Sequence, residues 1–76
     1  MTDTKKDFSY EIKEALAVLS KDGDNTVEAN MISYNGYTPK LDIRKWDRKE
    51  NKMLKGITLT ENEAKSLLEV LKKKFA

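Results

Sequence analysis

Residues 40–59 read KLDIRKWDRKENKMLKGITL. Two runs there alternate between apolar and polar residues, joined by the charged stretch DRKEN at 47–51. Side chains of a strand point alternately to its two faces, so each run predicts a strand with one greasy side. In the first run Leu41 and Ile43 fall on one side, and Lys40, Asp42, Arg44 and Trp46 on the other. In the second, Met53, Lys55, Ile57 and Leu59 share a parity. Gly56 interrupts that run where a bulge or a close backbone approach is expected, and past a bulge the parity of Lys55 relative to Ile57 is open. The two runs form an antiparallel pair whose polar side is expected to stay open. A solvated sheet face needs charges, but it does not need a tryptophan among them.

Before this pair, TVEANMISY at 26–34 reads as a strand, and Asn35-Gly36 after it is a strong hairpin signal. The first patterned run, FSYEIKEALAVLS at 8–20, is ambiguous. Phe8, Tyr10, Ile12, Leu16 and Val18 share a strand parity interrupted at Glu14, while Ile12, Ala15, Leu16 and Leu19 fit a helical stripe. Phe, Ser, Tyr and Ile at its start favour a curved strand. KDGDN at 21–25 is a turn by composition.

After the pair, Thr60 to Glu63 has the residues of a capping box, and Ala64, Leu67, Leu68, Leu71 and Phe75 recur at helical spacing. Lys72, Lys73 and Lys74 fall in the last turn, where cations complement the helix dipole. The expected fold is α+β: a four-stranded antiparallel curved sheet followed by one C-terminal amphipathic helix, β-β-β-β-α. It is expected to form one domain over residues 1–76, with residues 1–7 a disordered tail. One helix covers only part of one sheet face. Val70 widens the apolar stripe, so a homodimer through Leu67, Leu68, Val70, Leu71 and Phe75 is expected.

With 76 residues and no cysteine, the chain has no disulfide with which to support a small core. With no histidine either, it lacks the commonest metal ligand and general base. Gly23, Gly36 and Gly56 are isolated, so there is no glycine-rich phosphate loop. Asp22 and Asp24 resemble a calcium loop only at its start, because the remaining ligands do not follow. Catalysis, a metal, a cofactor and a small-molecule substrate are not expected. No apolar run approaches membrane-spanning length, and residues 1–7 lack the apolar segment of a secretory signal. A soluble cytoplasmic protein, associated with the nucleoid if it binds DNA, is the expectation.

The net charge of +2 is unevenly spread. From Asp7 to Glu28 six acids oppose two lysines, whereas from Lys40 to Lys55 seven bases oppose three acids. Such segregation can orient a polyanion. Trp46 beside Lys40 and Arg44 has what a single strand requires, a ring for bases and cations for phosphates, although a packing aromatic at a strand end is the plainer account. Tyr34 and Tyr37 flank the Asn-Gly turn and either cap the sheet or extend the stacking surface. Lys45 and Lys55 complete the basic candidates. Arg48 and Lys52 stand at the rim in a charged turn, and Lys13 is either a further contact or an ordinary paired surface lysine.

At Leu41-Asp42-Ile43-Arg44-Lys45-Trp46, followed by Lys55-Gly56-Ile57-Thr58-Leu59-Thr60, the chain resembles the single-stranded DNA-binding domain of the transcriptional coactivator positive cofactor four, in particular its small bacterial YdbC-type members. The resemblance implies a protomer that dimerises through its helix and grips single-stranded DNA on β-ridges, by phosphate contacts and base stacking, in transcription, replication or repair. It puts Arg44 and Lys55 on the family's basic positions and Trp46 in the aromatic pair that ends the third strand. This chain departs there, because Asp47 follows a single aromatic residue. RNA is the alternative ligand, distinguished by contacts to the 2′-hydroxyl, and a protein-interaction module is the alternative of another class.

Overall fold

The structure, a computed structural model, describes residues 9–76. The tail expected at residues 1–7, and Phe8, lie outside the described residues. Four strands, β1 (Tyr10–Asp22), β2 (Asn25–Tyr34), β3 (Lys40–Asp47) and β4 (Lys52–Leu59), form one antiparallel sheet in chain order, and helix α1 (Glu61–Phe75) follows. This is the β-β-β-β-α arrangement expected. The turns carry the chemistry their residues suggested. Asn35 and Gly36 both take positive φ, 52° and 81°, and Tyr37 N–H donates to the Tyr34 carbonyl at 2.9 Å across them. At the start of α1 the Thr60 hydroxyl accepts from Glu63 N–H at 3.2 Å and the Glu63 carboxylate accepts from Thr60 N–H at 2.8 Å.

The ambiguity of the first run resolves into a strand with three irregularities. Its register against β2 shifts between Ile12 and Glu14, between Ala15 and Ala17, and between Val18 and Ser20, leaving Lys13, Leu16 and Leu19 without cross-strand partners. Each extra residue bends the strand and increases its twist. Beyond Tyr10, opposite Tyr34, the residues paired with the even positions of β2 are therefore Ile12, Ala15, Val18 and Lys21. Bulges at regular intervals have turned a period of two into a period of three. The helical stripe read from the residues follows this set only at Ile12 and Ala15, and its Leu16 and Leu19 fall at the register shifts.

The bends curl the sheet. Tyr10 pairs with Tyr34, and Trp46 with Thr26, eight residues away along β2. An extended strand would separate those positions by about 26 Å. Yet the Tyr10 and Trp46 rings lie 6.2 Å apart. Gly56 helps the far side of the sheet close up: a Cβ there would lie 2.0 Å from the Arg44 Cβ. The close approach expected at Gly56 is present, and the register shift falls beside it, where Leu54 and Lys55 oppose Lys45 alone.

The curl reverses the expected facing. Cross-strand partners share a face, so Thr26, Glu28, Asn30 and Ile32 lie with Trp46, Arg44, Asp42 and Lys40. That side, expected to be open, holds the buried residues other than Ser33: Ile32 and Asp42 at 0% exposure, Trp46 at 1%, and Thr26, Glu28 and Asn30. The apolar side, with Val27, Ala29, Met31, Leu41 and Ile43, is only half-buried. The long side chains of β2 and β3 cover one another on the inner face while β1 stays exposed along its length, and one helix touching only β3 and β4 cannot cover the outer face. Ala64 and Leu67 are half-buried, and the rest of the helix is exposed.

Candidate nucleic-acid interface

Two arginine–carboxylate clusters occupy the inner face. In the first, Arg44 Nε and Nη2 donate to the two carboxylate oxygens of the fully buried Asp42, at 2.8 and 2.7 Å. Nη2 also donates to the Tyr34 hydroxyl at 3.1 Å, Nη1 donates to the Leu54 carbonyl at 2.9 Å, and the Tyr34 hydroxyl donates to Asp42 at 2.6 Å. A buried carboxylate needs such a bidentate partner, because an unpaired charge in that position is strongly destabilising. Burial, reinforced by the hydrogen bond to Asp42, pushes the Tyr34 phenol up to about 12. Tyr34 therefore works inside the sheet, while Tyr37 stands 74% exposed at the turn.

The second cluster is built around Trp46. Arg48 Nε and Nη2 donate to the Glu28 carboxylate, Nη1 donates to Asn51 Oδ1 at 3.0 Å, and the guanidinium carbon stands 4.2 Å from the Trp46 ring centre. Thr26 also donates to Glu28. The hydrogen bond from Arg48, chiefly, lowers the Glu28 carboxyl from 4.5 to about 2 against the opposing effect of burial. Trp46 shares the side of Arg44, as its parity predicted, but it does not lie open: Arg48 stands over its ring and Tyr10 lies beside it. Trp46 Nε1 and Asn30 Nδ2 are buried without a hydrogen-bond partner among the described residues, although Asn30 is close enough to Glu28 to help lower its pKa.

Around the β4 irregularity lies an open hollow of about 520 Å³, lined by Val27, Ile43, Arg44, Lys45, Leu54 and Lys55. It brings together three of the sequence-predicted cations over an apolar floor. Lys45 and Lys55 are exposed and make no ion pair among the described residues, as do Lys40 and Lys52. Arg44 is bound up with Asp42 and Tyr34. Lys45 also borders a second hollow, of about 230 Å³, beside Ser20, Asp22 and Asn25. Lys13 is drawn elsewhere, into an exposed ion pair with Glu11 at 3.1 Å on the edge strand. Sequence reasoning missed Glu28, Asn51 and the inward role of Asp42. The spacing of Asp42 and Arg44 on one strand face was a readable signal for their pair, but the Glu28–Arg48 pair, 20 residues apart, had none.

Chemically, the hollow offers what a polyanion with flat apolar groups requires: mobile ammonium groups at the rim and an apolar floor between them. Among the described residues no cluster of carboxylates could hold a metal ion, and no helix is long and apolar enough to cross a membrane. Comparison with known proteins adds two findings. The family model described as transcriptional coactivator p15 (PC4) matches residues 21–70, well over half of the chain. An uncharacterized protein of Treponema pallidum (strain Nichols) is 41% identical over 66 residues, covering 86% of this chain and 78% of that protein.

Proposed function

Since the chain belongs to the transcriptional coactivator p15 (PC4) family, whose character is single-stranded DNA binding in a transcription-related setting, we propose that it is a sequence-tolerant single-stranded DNA-binding protein acting as a homodimer at the nucleoid. The observation that carries this reading is the hollow where Lys45 and Lys55 flank Val27, Ile43 and Leu54, with Arg44 at its edge. Phosphates would pair with Lys45 and Lys55, joined by Lys52, which shares the side of Lys45, whereas Lys40 lies on the other side with Ile32. Arg44 would set the shape of the hollow more than it would donate to phosphate, since its Nε, Nη1 and Nη2 already have protein partners. Tyr37, exposed at the turn, would add a stacking surface. Lack of sequence preference follows physically, because phosphate pairing and stacking read no base edge.

The dimer has its own support. Leu68, Val70, Leu71 and Phe75 of the helix and Ile57 of β4 are exposed, from 43% for Leu71 to 77% for Phe75. The radius of gyration is 14.2 Å, against about 11 Å for a compact chain of this length. Leu67, also expected at the dimer interface, is half-buried within its own protomer. A second protomer would cover the other four helix residues and supply the core that the single sheet lacks.

The test is fluorescence anisotropy of labelled oligo-dT across a salt series, with duplex DNA and oligo-U as competitors. Binding poorly competed by duplex, with log K falling against log salt at a slope near −3.5 for about five neutralised phosphates, is the expected result. Preferential competition by oligo-U would move the assignment to RNA. Absence of binding at low salt would leave a protein-interaction module.

A further inference from the structure

Granting the single-strand reading above, we infer that Arg48 is a base-stacking platform: its guanidinium, seated on Trp46, offers its outer flat face to a nucleobase and does not serve as a phosphate anchor. Three observations combine. The first is fixation. Arg48 N–H donates to the Asp24 carbonyl at 2.8 Å, tying the β3–β4 turn to the β1–β2 turn, and the Asp47 carboxylate accepts from Lys49 and Glu50 N–H at 3.0 and 3.2 Å. The arginine therefore leaves a braced turn.

The second is saturation of its edge. Nε and Nη2 are engaged by Glu28 and Nη1 by Asn51, so each nitrogen already has a protein acceptor. Its charge faces that of Glu28, and a charge already matched attracts phosphate weakly. Neighbouring Lys49 and Lys52 are exposed and make no ion pair among the described residues, so they serve that purpose better.

The third is what remains uncovered. The guanidinium carbon stands over the Trp46 ring, 4.2 Å from its centre, and the Arg48 side chain is still 35% exposed. A planar, weakly hydrated cation backed by an indole is a surface on which bases stack. Trp46 itself, at 1% exposure, cannot receive a base directly. Arg48 carries the stack outward to where a strand could reach it.

The experiment compares binding of oligo-dT with binding of an abasic sugar-phosphate oligomer of equal length, for the wild-type protein, Arg48→Lys and the pair Glu28→Gln/Arg48→Leu. Arg48→Lys keeps the charge and removes the plane. The paired variant removes the cation without stranding the buried carboxylate. Thermal melts and the emission of Trp46 verify the fold of each. The expected result is a roughly ten-fold loss for oligo-dT in both variants, unchanged binding of the abasic oligomer, and an unchanged salt slope. Equal losses on both oligomers, with the slope of the paired variant shallower by about 0.7, would make Arg48 a phosphate contact and overturn the inference. Unchanged oligo-dT affinity in folded variants would reduce Arg48 to a structural brace and overturn it as well. A wild-type protein that bound neither oligomer would remove the single-strand reading itself.

Discussion

Glu28 shows how a polar inner face is made stable. Its carboxyl is lowered to about 2 from 4.5, principally by Arg48, so the folded state favours the ionised form. The resulting stabilisation is fully present above pH 4.5 and is lost as pH falls through about 2. Its upper bound is about 3 kcal/mol, and the partial exposure of Arg48 brings it nearer 1–2 kcal/mol. Acid titration followed by circular dichroism should therefore show stability falling between those pH values, and Glu28→Gln should flatten that part of the curve. Trp46 yields a second expectation. Because it is buried, Trp46→Ala should cost about 3–5 kcal/mol of folding stability, read as a large drop in urea midpoint. A Trp46 that merely stacked a ligand would leave that midpoint in place.

At the scale of elements, β1 and β4 determine the shape. The three register shifts of β1 and the one opposite Lys45 bend an otherwise regular meander until Tyr10 meets Trp46. Gly56 is where the β3–β4 pairing is tightest, since an added Cβ would collide with the Arg44 side chain and lie 2.8 Å from the Ile43 carbonyl oxygen. Gly56→Ala should thus cost about 1–3 kcal/mol and open the hollow, with Lys45 and Lys55 shifting relative to one another. A thermal melt and amide exchange on β3 and β4 would read this, and a variant as stable as wild type would argue against the tight pairing. The helix, by contrast, contributes an amphipathic surface whose better part faces away from its own sheet.

For the whole molecule, the described residues bury only two hydrophobic side chains completely, Ile32 and Trp46, which is little for an independent domain. A second protomer on the helix face is the remedy proposed above. Val70→Asp, at a residue 59% exposed, should then turn a dimer into a monomer in analytical ultracentrifugation. It should also lower the melting temperature and remove its dependence on protein concentration, because association stabilises by mass action. If the protein is monomeric at micromolar concentration and Val70→Asp leaves melting unchanged, the exposed stripe serves another purpose.

The element order, the Asn35-Gly36 turn, the capped helix and the parity that groups Trp46 with Arg44 were all legible in the residues, since each depends on local conformational preference and on a short repeat. The capacity of Lys45 and Lys55 to attract a polyanion is likewise a property of those residues wherever they lie. Their meeting with Arg44 around one hollow was not legible, because it depends on a bulge and a close approach between strands. Nor was the facing of the sheet. Alternation states that two faces differ but not which one buries its side chains, and that was decided by the curl that the bulges impose. Pairing of Glu28 with Arg48, and with it the covering of Trp46, joins positions 20 residues apart. Only the tertiary structure could decide this, since a charge leaves no local mark of the partner it will meet across a fold.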